Sequence, residues 1–387
     1  EVTLEAGGYV IVFASGDEGT GDELHANFQL DGGGEYLALV DPASAILTEF
    51  NPYPEQRGGA SYGSIGEELQ FFQEPTPGAE NGSGVDGFVA DTKFNVNRGY
   101  YDESFELEIT TATEGANITY SLDGSDPAKA SIFSPAQKYE GPITISTTTV
   151  VRAVAKKSGW QSTNTDTNTY IFHDDVVNQP DEPEGFPSKW GRFSVDYEMD
   201  PEITGPNAGE MRGALRSLPT VSFVGHNDDF FGSKGIYGNP ESTGLNWEKP
   251  ISFEWLNKDG SGKFQVDCGA RIQGGFFRQA SASEKHSFRL LFKSEDGVGR
   301  LREDIVDQPG ATDSFDTIVF RAGGNDGYAW GGAGTTVQFL RDEFGRRIAA
   351  EAGHASPRGG FQHLYINGLY WGLYNLTERP NENFSAS

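Results

Sequence analysis

Lys285 and Arg289 lie on one alternating stretch, Lys285-His-Ser-Phe-Arg-Leu-Leu-Phe292, which reads as a β-strand carrying cations near its start and middle. Asp342 and Glu343 lie in a different pattern. From Thr335 to Ala352, Val337, Phe339, Leu340, Phe344, Ile348 and Ala349 recur at helical steps, and Gly353 marks the end. A strand-borne cation beside a helix-borne carboxylate is half of what phosphoryl transfer requires, which is positive charge on the phosphates, carboxylates for metal ions and a group that orients the nucleophile. Lys285 and Arg289 are therefore the preferred phosphate-facing cations, with Lys293 an alternative at the strand's end, and Asp342 or Glu343 is the expected ion-pair partner. Arg341 reads equally as a phosphate ligand or as a bridge from helix to sheet. The plain alternative is that Lys and Arg at strand ends are only solvated.

Other residues that invite a chemical reading are better explained structurally. His25 has no nearby second ligand in the sequence. Asp123-Gly-Ser-Asp126 lacks the acidic spacing of a calcium loop and reads as a turn before Pro127. Gly274-Gly275 is no G-x-G-x-x-G phosphate loop and reads as a bulge or tight turn. Asp326, after Gly323-Gly-Asn, reads as loop chemistry rather than a metal ligand.

The chain has 387 residues, enough for two or three domains. A net charge of −28 argues against nucleic acid as a partner. The single cysteine, Cys268, permits no intrachain disulfide and no cysteine-based zinc site. No apolar run is long enough to span a membrane. The opening Glu1-Val-Thr-Leu runs straight into a strand-like Val10-Ile-Val-Phe13, as if cut from within a domain, so a signal segment is expected upstream.

Frequent glycine, proline and short β-branched or aromatic runs predict a mainly β multidomain chain, with helical periodicity nearly absent before residue 330. Residues 1–81 carry expected strands at Tyr9–Ala14, Ala26–Leu30 and Glu35–Leu39, with Asp31-Gly-Gly-Gly34 as a hairpin-type turn. Through Gly7-Gly-Tyr-Val-Ile-Val-Phe-Ala-Ser15, Leu24-His-Ala-Asn-Phe28, Gly34-Glu-Tyr-Leu-Ala-Leu-Val-Asp-Pro42 and Pro75-Thr-Pro-Gly-Ala79, this segment resembles part of a lamin-tail domain, an immunoglobulin-like β-sandwich.

After a Gly/Ser-rich joint at 81–87, residues 88–172 alternate in Phe105–Ile109, Ala116–Leu122 and Thr148–Val154. They resemble the chitobiase/hexosaminidase C-terminal-type sandwich through Ile118-Thr-Tyr-Ser-Leu-Asp-Gly-Ser-Asp-Pro127, Tyr139-Glu-Gly-Pro-Ile-Thr-Ile145 and Thr149-Val-Val-Arg-Ala-Val-Ala155. That implies an accessory module, for which Tyr100, Tyr101 and Trp160 are the available aromatic platform. Residues 173–217 read as an acidic linker that packs along the next domain through Phe186, Trp190, Phe193 and Tyr197.

Residues 218–387 combine predicted strands with the single predicted helix, the layout of an α+β kinase-like N-lobe. Through Gly269-Ala-Arg-Ile-Gln-Gly-Gly275, Lys285-His-Ser-Phe-Arg-Leu-Leu-Phe292, Phe320-Arg-Ala-Gly-Gly-Asn-Asp326 and Leu364-Tyr-Ile-Asn-Gly-Leu-Tyr-Trp-Gly-Leu-Tyr-Asn-Leu-Thr-Glu378, they resemble the CotH (spore coat protein H) kinase family. The resemblance implies an atypical kinase fold that uses ATP and Mg to phosphorylate protein serines. It places Lys285, Arg289, Arg341 and Glu378 at the nucleotide, Glu378 at the bend that faces adenine. It also implies that the C-lobe with the catalytic and metal-binding aspartates lies beyond Ser387, so no catalytic or metal residue is expected here and this stretch alone is expected to be inactive. The implied setting is extracellular or at the cell surface, acting on a protein substrate or a cell-surface component. A non-catalytic adhesion or scaffold protein and a carbohydrate-associated accessory protein are the alternatives.

Overall fold

Alternation in the third segment sends one set of large side chains to a common interior. Phe223, Phe253, Phe288 and Phe320, from four different strands, are all fully buried. Phe223 stands 5.9, 5.5 and 5.2 Å from the other three ring centroids, in edge-on geometry. In the computed structural model, which describes residues 4–17, 23–131, 136–190, 193–327, 336–381 and 384, this cluster fills a closed barrel of seven strands. They are β1 (Thr220–Val224), β2 (Lys249–Leu256), β3 (Gly262–Gln273), β4 (Ser287–Leu291), β5 (Thr317–Arg321), β6 (Gly359–Ile366) and β7 (Leu369–Glu378).

The order around the barrel is β1-β2-β3-β4-β5-β7-β6. Every pairing is antiparallel except β1 with β6, whose parallel register from Thr220↔His363 to Phe223↔Ile366 closes the ring. The sequence predicts a sheet with one helix against it, and closure adds to that picture. Closing removes both sheet edges and leaves a packed interior and an outer wall.

The chain divides into two compact units, and the second, Asp91–Thr111, Asn117–Ala155 and Asn164–Ser387, holds this barrel together with most of the preceding sandwich. The sandwich's main sheet runs Gln137–Lys138, Asn117–Ser121, Thr149–Lys156, Asp166–Ile171, Gly99–Tyr100. Its strand Thr149–Lys156 is buried along both faces because the barrel covers what would otherwise be a wet side. Glu254 of β2 is fully buried there, accepting hydrogen bonds from the Thr169 backbone N–H at 3.0 Å and from its hydroxyl.

The stretch 173–217, read as a linker, packs as expected and is more structured than its composition suggests. Trp190 and Tyr197 join the barrel's core cluster. Pro201–Leu215 is a helix, capped by the Asp200 side chain, which accepts from the Glu202 N–H at 2.9 Å. The expected absence of helix before residue 330 is corrected here: Gly205, Pro206, Gly209 and Gly213 dilute its periodicity, and only Thr204 and Leu215 are buried. The predicted Thr335–Ala352 helix is observed as Arg341–Glu351, ending at Gly353 with φ +83°. Thr335 lies outside the described residues.

The first unit, Glu1–Ala90 with Ala112–Ala116 and Lys156–Thr163, contains three two-stranded ribbons. Val12–Ala14 pairs in parallel with Leu24–Ala26, Leu37–Val40 antiparallel with Ile46–Phe50, and Ser61–Ile65 antiparallel with Glu68–Phe72. The Asp31–Gly34 turn forms, with the Gly34 N–H bonded to Asp31 O at 3.1 Å, yet the strands on its two sides do not pair with each other. Gly34 is required there, because a Cβ would lie 2.3 Å from the Tyr53 carbonyl oxygen.

Candidate functional site: a cationic wall on the barrel

Because Phe288 and Leu290 point into the barrel, Arg289 between them points out. Cross-strand register sets it beside Arg271 of β3 and Val319 of β5, while Arg321 of β5 stands beside Asn375 of β7. One wall of a strongly acidic chain therefore carries a row of guanidiniums. Arg271 is neutralised: its Nε donates to Glu248 at 2.7 Å, and Lys293 reaches the other oxygen of the same carboxylate at 2.5 Å. Burial pushes Glu248 up, but the hydrogen bonds from Lys293 and Arg271 outweigh it and hold the carboxyl below its ordinary value.

Arg289 is different. Among the described residues it has no carboxylate within ion-pair distance, and its Nε is buried without a hydrogen-bond partner. Burial, then the neighbouring Arg379 and Arg271, lowers its pKa, so the surroundings make positive charge there costly. A buried N–H left without an acceptor costs roughly 1–3 kcal/mol.

The helix reaches the same wall, but through other cations than the sequence suggests. Asp342 pairs with Arg321 and, at 3.0 Å, with Arg346. Glu343, 5% exposed, receives Arg346 and Arg347 at 2.7 Å each, together with Asn375 at 3.1 Å and Gln308 at 2.9 Å. Its hydrogen bonds and these guanidiniums overcome burial and lower its pKa. No ion pair joins either carboxylate to Lys285 or Arg289 among the described residues. The sequence reading does not single out Arg321, although its place two residues after Val319 on an alternating strand signals an outward position on β5.

Arg341 ties the start of the helix to the turn after β5 rather than to the sheet itself. Its guanidinium reaches Asp326 at 3.4 Å and the Thr336 carbonyl, and its backbone N–H donates to the same Asp326 at 3.3 Å. Asp326 is thereby a cap for the chain entering the helix, as loop chemistry predicts. Glu378 spends both carboxylate oxygens on backbone N–H groups, Thr312 at 3.0 Å and Arg358 at 2.8 Å, so its side chain pins the end of β7. Lys285 lies elsewhere, at the barrel's end, donating to the Leu373 carbonyl at 3.1 Å over the Tyr374 ring.

The remaining expectations resolve locally. His25 Nδ1 bonds the Ser15 hydroxyl at 2.9 Å, and the Asp123 carboxylate accepts from the Ser125 N–H at 2.9 Å as a turn residue. Tyr100 donates its hydroxyl to Thr220 at 2.8 Å, Tyr101 packs on Phe105 at 4.6 Å, and Trp160 carries Lys157 over its ring at 4.0 Å. Among the described residues no three His, Cys, Asp or Glu side chains stand together in a way that could hold a metal ion.

Residues 270–387 match the CotH kinase protein family. The matched CotH segment opens at β3 and so contains Arg271, Arg289, Arg321, the helix and Glu378, which is the whole cationic wall. Residues 96–167 match the Chitobiase/beta-hexosaminidase C-terminal domain, which is the sandwich docked on β2. A comparison with curated proteins gave no match. No helix among the described residues is long and apolar enough to cross a membrane.

Proposed function

We propose that the outer wall around Arg289 in the CotH segment binds the phosphates of a nucleotide, and that the protein acts as an exported or cell-surface kinase on protein hydroxyls. The observation that supports this is Arg289 itself, a partly desolvated guanidinium with an unpartnered Nε, flanked by Arg271 and Arg379, on a chain whose net charge is −28. A planar fork of this kind suits phosphate oxygens. ATP is the nucleotide that the resemblance to the CotH kinase family implies. The described residues do not fit a Mg2+ ion, because no acidic group of three is assembled among them, so no step through a metal is derived. Phosphate positioning is the part of the chemistry that this wall supplies; Asp342 and Glu343 keep the helix seated on it. The β modules, residues 1–81 read as lamin-tail-like and the chitobiase-type sandwich, would present the barrel at a surface.

Calorimetric titration of the chain with ATP, with and without Mg2+, tests the reading. Binding that weakens at least tenfold in Arg289→Ala, with an unchanged circular dichroism spectrum, is the expected result. Equal affinity in the variant would remove Arg289 from the site. Absence of any ATP binding would leave a surface scaffold that shares the fold without the chemistry.

A further inference from the structure

At the end of the barrel where β4 and β7 begin, a cavity of about 180 Å3 is walled by Trp190, Tyr197, Tyr237, Tyr370 and Trp371. The rings are locked against one another, Trp371 lying 5.0 Å from Tyr237 and 5.4 Å from Trp190. Their polar atoms are used up within the wall. Trp190 Nε1 donates to Tyr197 Oη at 3.0 Å, Trp371 Nε1 to Tyr237 Oη at 3.2 Å, and Tyr237 Oη to the Glu284 carbonyl at 2.9 Å. Tyr370 Oη meets His363 Nδ1 at 3.1 Å. What remains facing the space is apolar ring surface.

Three charged side chains also line it, Asp196, Glu284 and Lys285, and of these the lysine lies innermost. Its one protein hydrogen bond among the described residues is to the Leu373 carbonyl, and no carboxylate lies within ion-pair distance. An ammonium has three donors, so two are left for something else. The backbone makes room for it: Gly372 has φ +116°, and a Cβ there would stand 2.6 Å from Nζ. Asp196 and Glu284 are exposed at the rim.

We infer that this cavity is a binding site for a small aromatic monocarboxylate, its ring between the tryptophans and its carboxylate on the Lys285 ammonium. Size supports one ring, since an apolar cavity of about 150 Å3 is enough for benzene. Charge limits the ligand to one carboxylate: the inner amine attracts it, while the two exposed rim carboxyls oppose any anion and most of all a second anionic group held near the rim. Burial in the same aromatic surroundings pushes the amine down to about 8, as expected for an ammonium held without a counter-ion. The site is separate from the Arg289 wall and does not rest on the kinase reading.

Benzoate is the probe, titrated into the chain at pH 7 by calorimetry and by tryptophan fluorescence, with benzyl alcohol as the neutral comparison. Saturable benzoate binding, at least tenfold tighter than benzyl alcohol and lost at least tenfold in Lys285→Met, is the expected result. A second measurement needs no variant. The groups facing Lys285 are the rim carboxyls of Asp196 and Glu284, the phenols of Tyr197, Tyr237, Tyr370 and Tyr374, all pushed up by burial, and His286, pushed down to about 4 by burial. Of these shifted groups and Lys285, only Lys285 changes charge between pH 7 and 9, so benzoate affinity falls across that range. No saturable benzoate binding, equal affinity for benzyl alcohol, or a flat pH profile would each overturn the assignment.

Discussion

The fully buried carboxylate of Glu254 on barrel strand β2 is held by both the backbone N–H and the hydroxyl of Thr169 on the sandwich. Arg98, also on the sandwich, stands 3.5 Å from it, and Ser222 on β1 bonds the same Thr169 hydroxyl at 2.9 Å. The chitobiase-type module and the barrel are thus joined through one desolvated polar network rather than strung on a flexible chain. That has thermodynamic consequences, because such a network stabilises only when complete.

Replacing Glu254 with alanine leaves the Arg98 guanidinium without its counter-ion and the Thr169 N–H and hydroxyl without their acceptor, and a loss of about 3–5 kcal/mol is expected. Glu254→Gln keeps one acceptor and loses less. Urea unfolding of both variants checks the ranking. Burial raises the Glu254 carboxyl more than Arg98 and Thr169 lower it. A raised acid favours the folded state when protonated, so its contribution is full below the ordinary Glu range and fades as pH rises through the folded value. The wild type should therefore lose stability relative to Glu254→Gln as pH rises through that window.

Glu248 screens the cationic wall by holding Arg271 and Lys293. Glu248→Gln frees Arg271 and leaves Lys293 only its exposed partner Glu295, 3.3 Å away, so ATP affinity at low salt should rise about threefold to tenfold, an increase that shrinks toward physiological ionic strength as screening sets in. Calorimetry at two salt concentrations reads it. A gain that ignores salt would mean that the freed charges do not face the ligand.

Two aromatic positions on the same domain should behave oppositely. Phe223 meets three other phenylalanines at the barrel's centre, so Phe223→Ala should cost about 3–5 kcal/mol in urea unfolding. Phe344 is 65% exposed on the helix, and Phe344→Ala should change stability by no more than about 0.5 kcal/mol.

That contrast also marks how far the sequence could be read. Alternation in Lys285–Phe292 and in Thr317–Arg321 showed the strands, because burying one side of a pleated strand leaves a period of two. The helix was legible for the wrong reason: Leu340, Phe344 and Ile348 made its period visible, yet they are exposed while Glu343 and Arg346 face the barrel. A period reports that a helix has two faces and does not say which one is covered. Closure through the β1–β6 parallel pairing joins residues far apart in the chain, beyond any local pattern. The helix at Pro201–Leu215 hid behind its glycines. Of the candidate site, Arg289 stands on a charged wall, whereas Lys285, four residues earlier, leaves the strand before its face is fixed and ends in an aromatic pocket. The ion pair expected between the helix and Lys285 or Arg289 does not form among the described residues; Asp342 pairs instead with Arg321, from a strand read only for its apolar residues.

Histidine titration gives the last test. Burial pushes His286 down to about 4, and burial together with the nearby Arg216 does the same to His173. Both imidazoles are neutral in the folded chain well below the ordinary histidine value of about 6.5, while the unfolded chain takes up protons there. The unfolded state binds more protons between about pH 6.5 and 4, so stability falls as pH falls through that window, by about 1.4 kcal/mol per pH unit for each fully shifted group. His286 Nδ1 bonds the Phe277 carbonyl at 3.1 Å, and a neutral amide can keep that contact. His286→Asn should therefore flatten the acid limb of a urea-midpoint profile while leaving the midpoint at pH 8 within about 1 kcal/mol of wild type. An unchanged slope in the variant would show that the acid sensitivity comes from other groups.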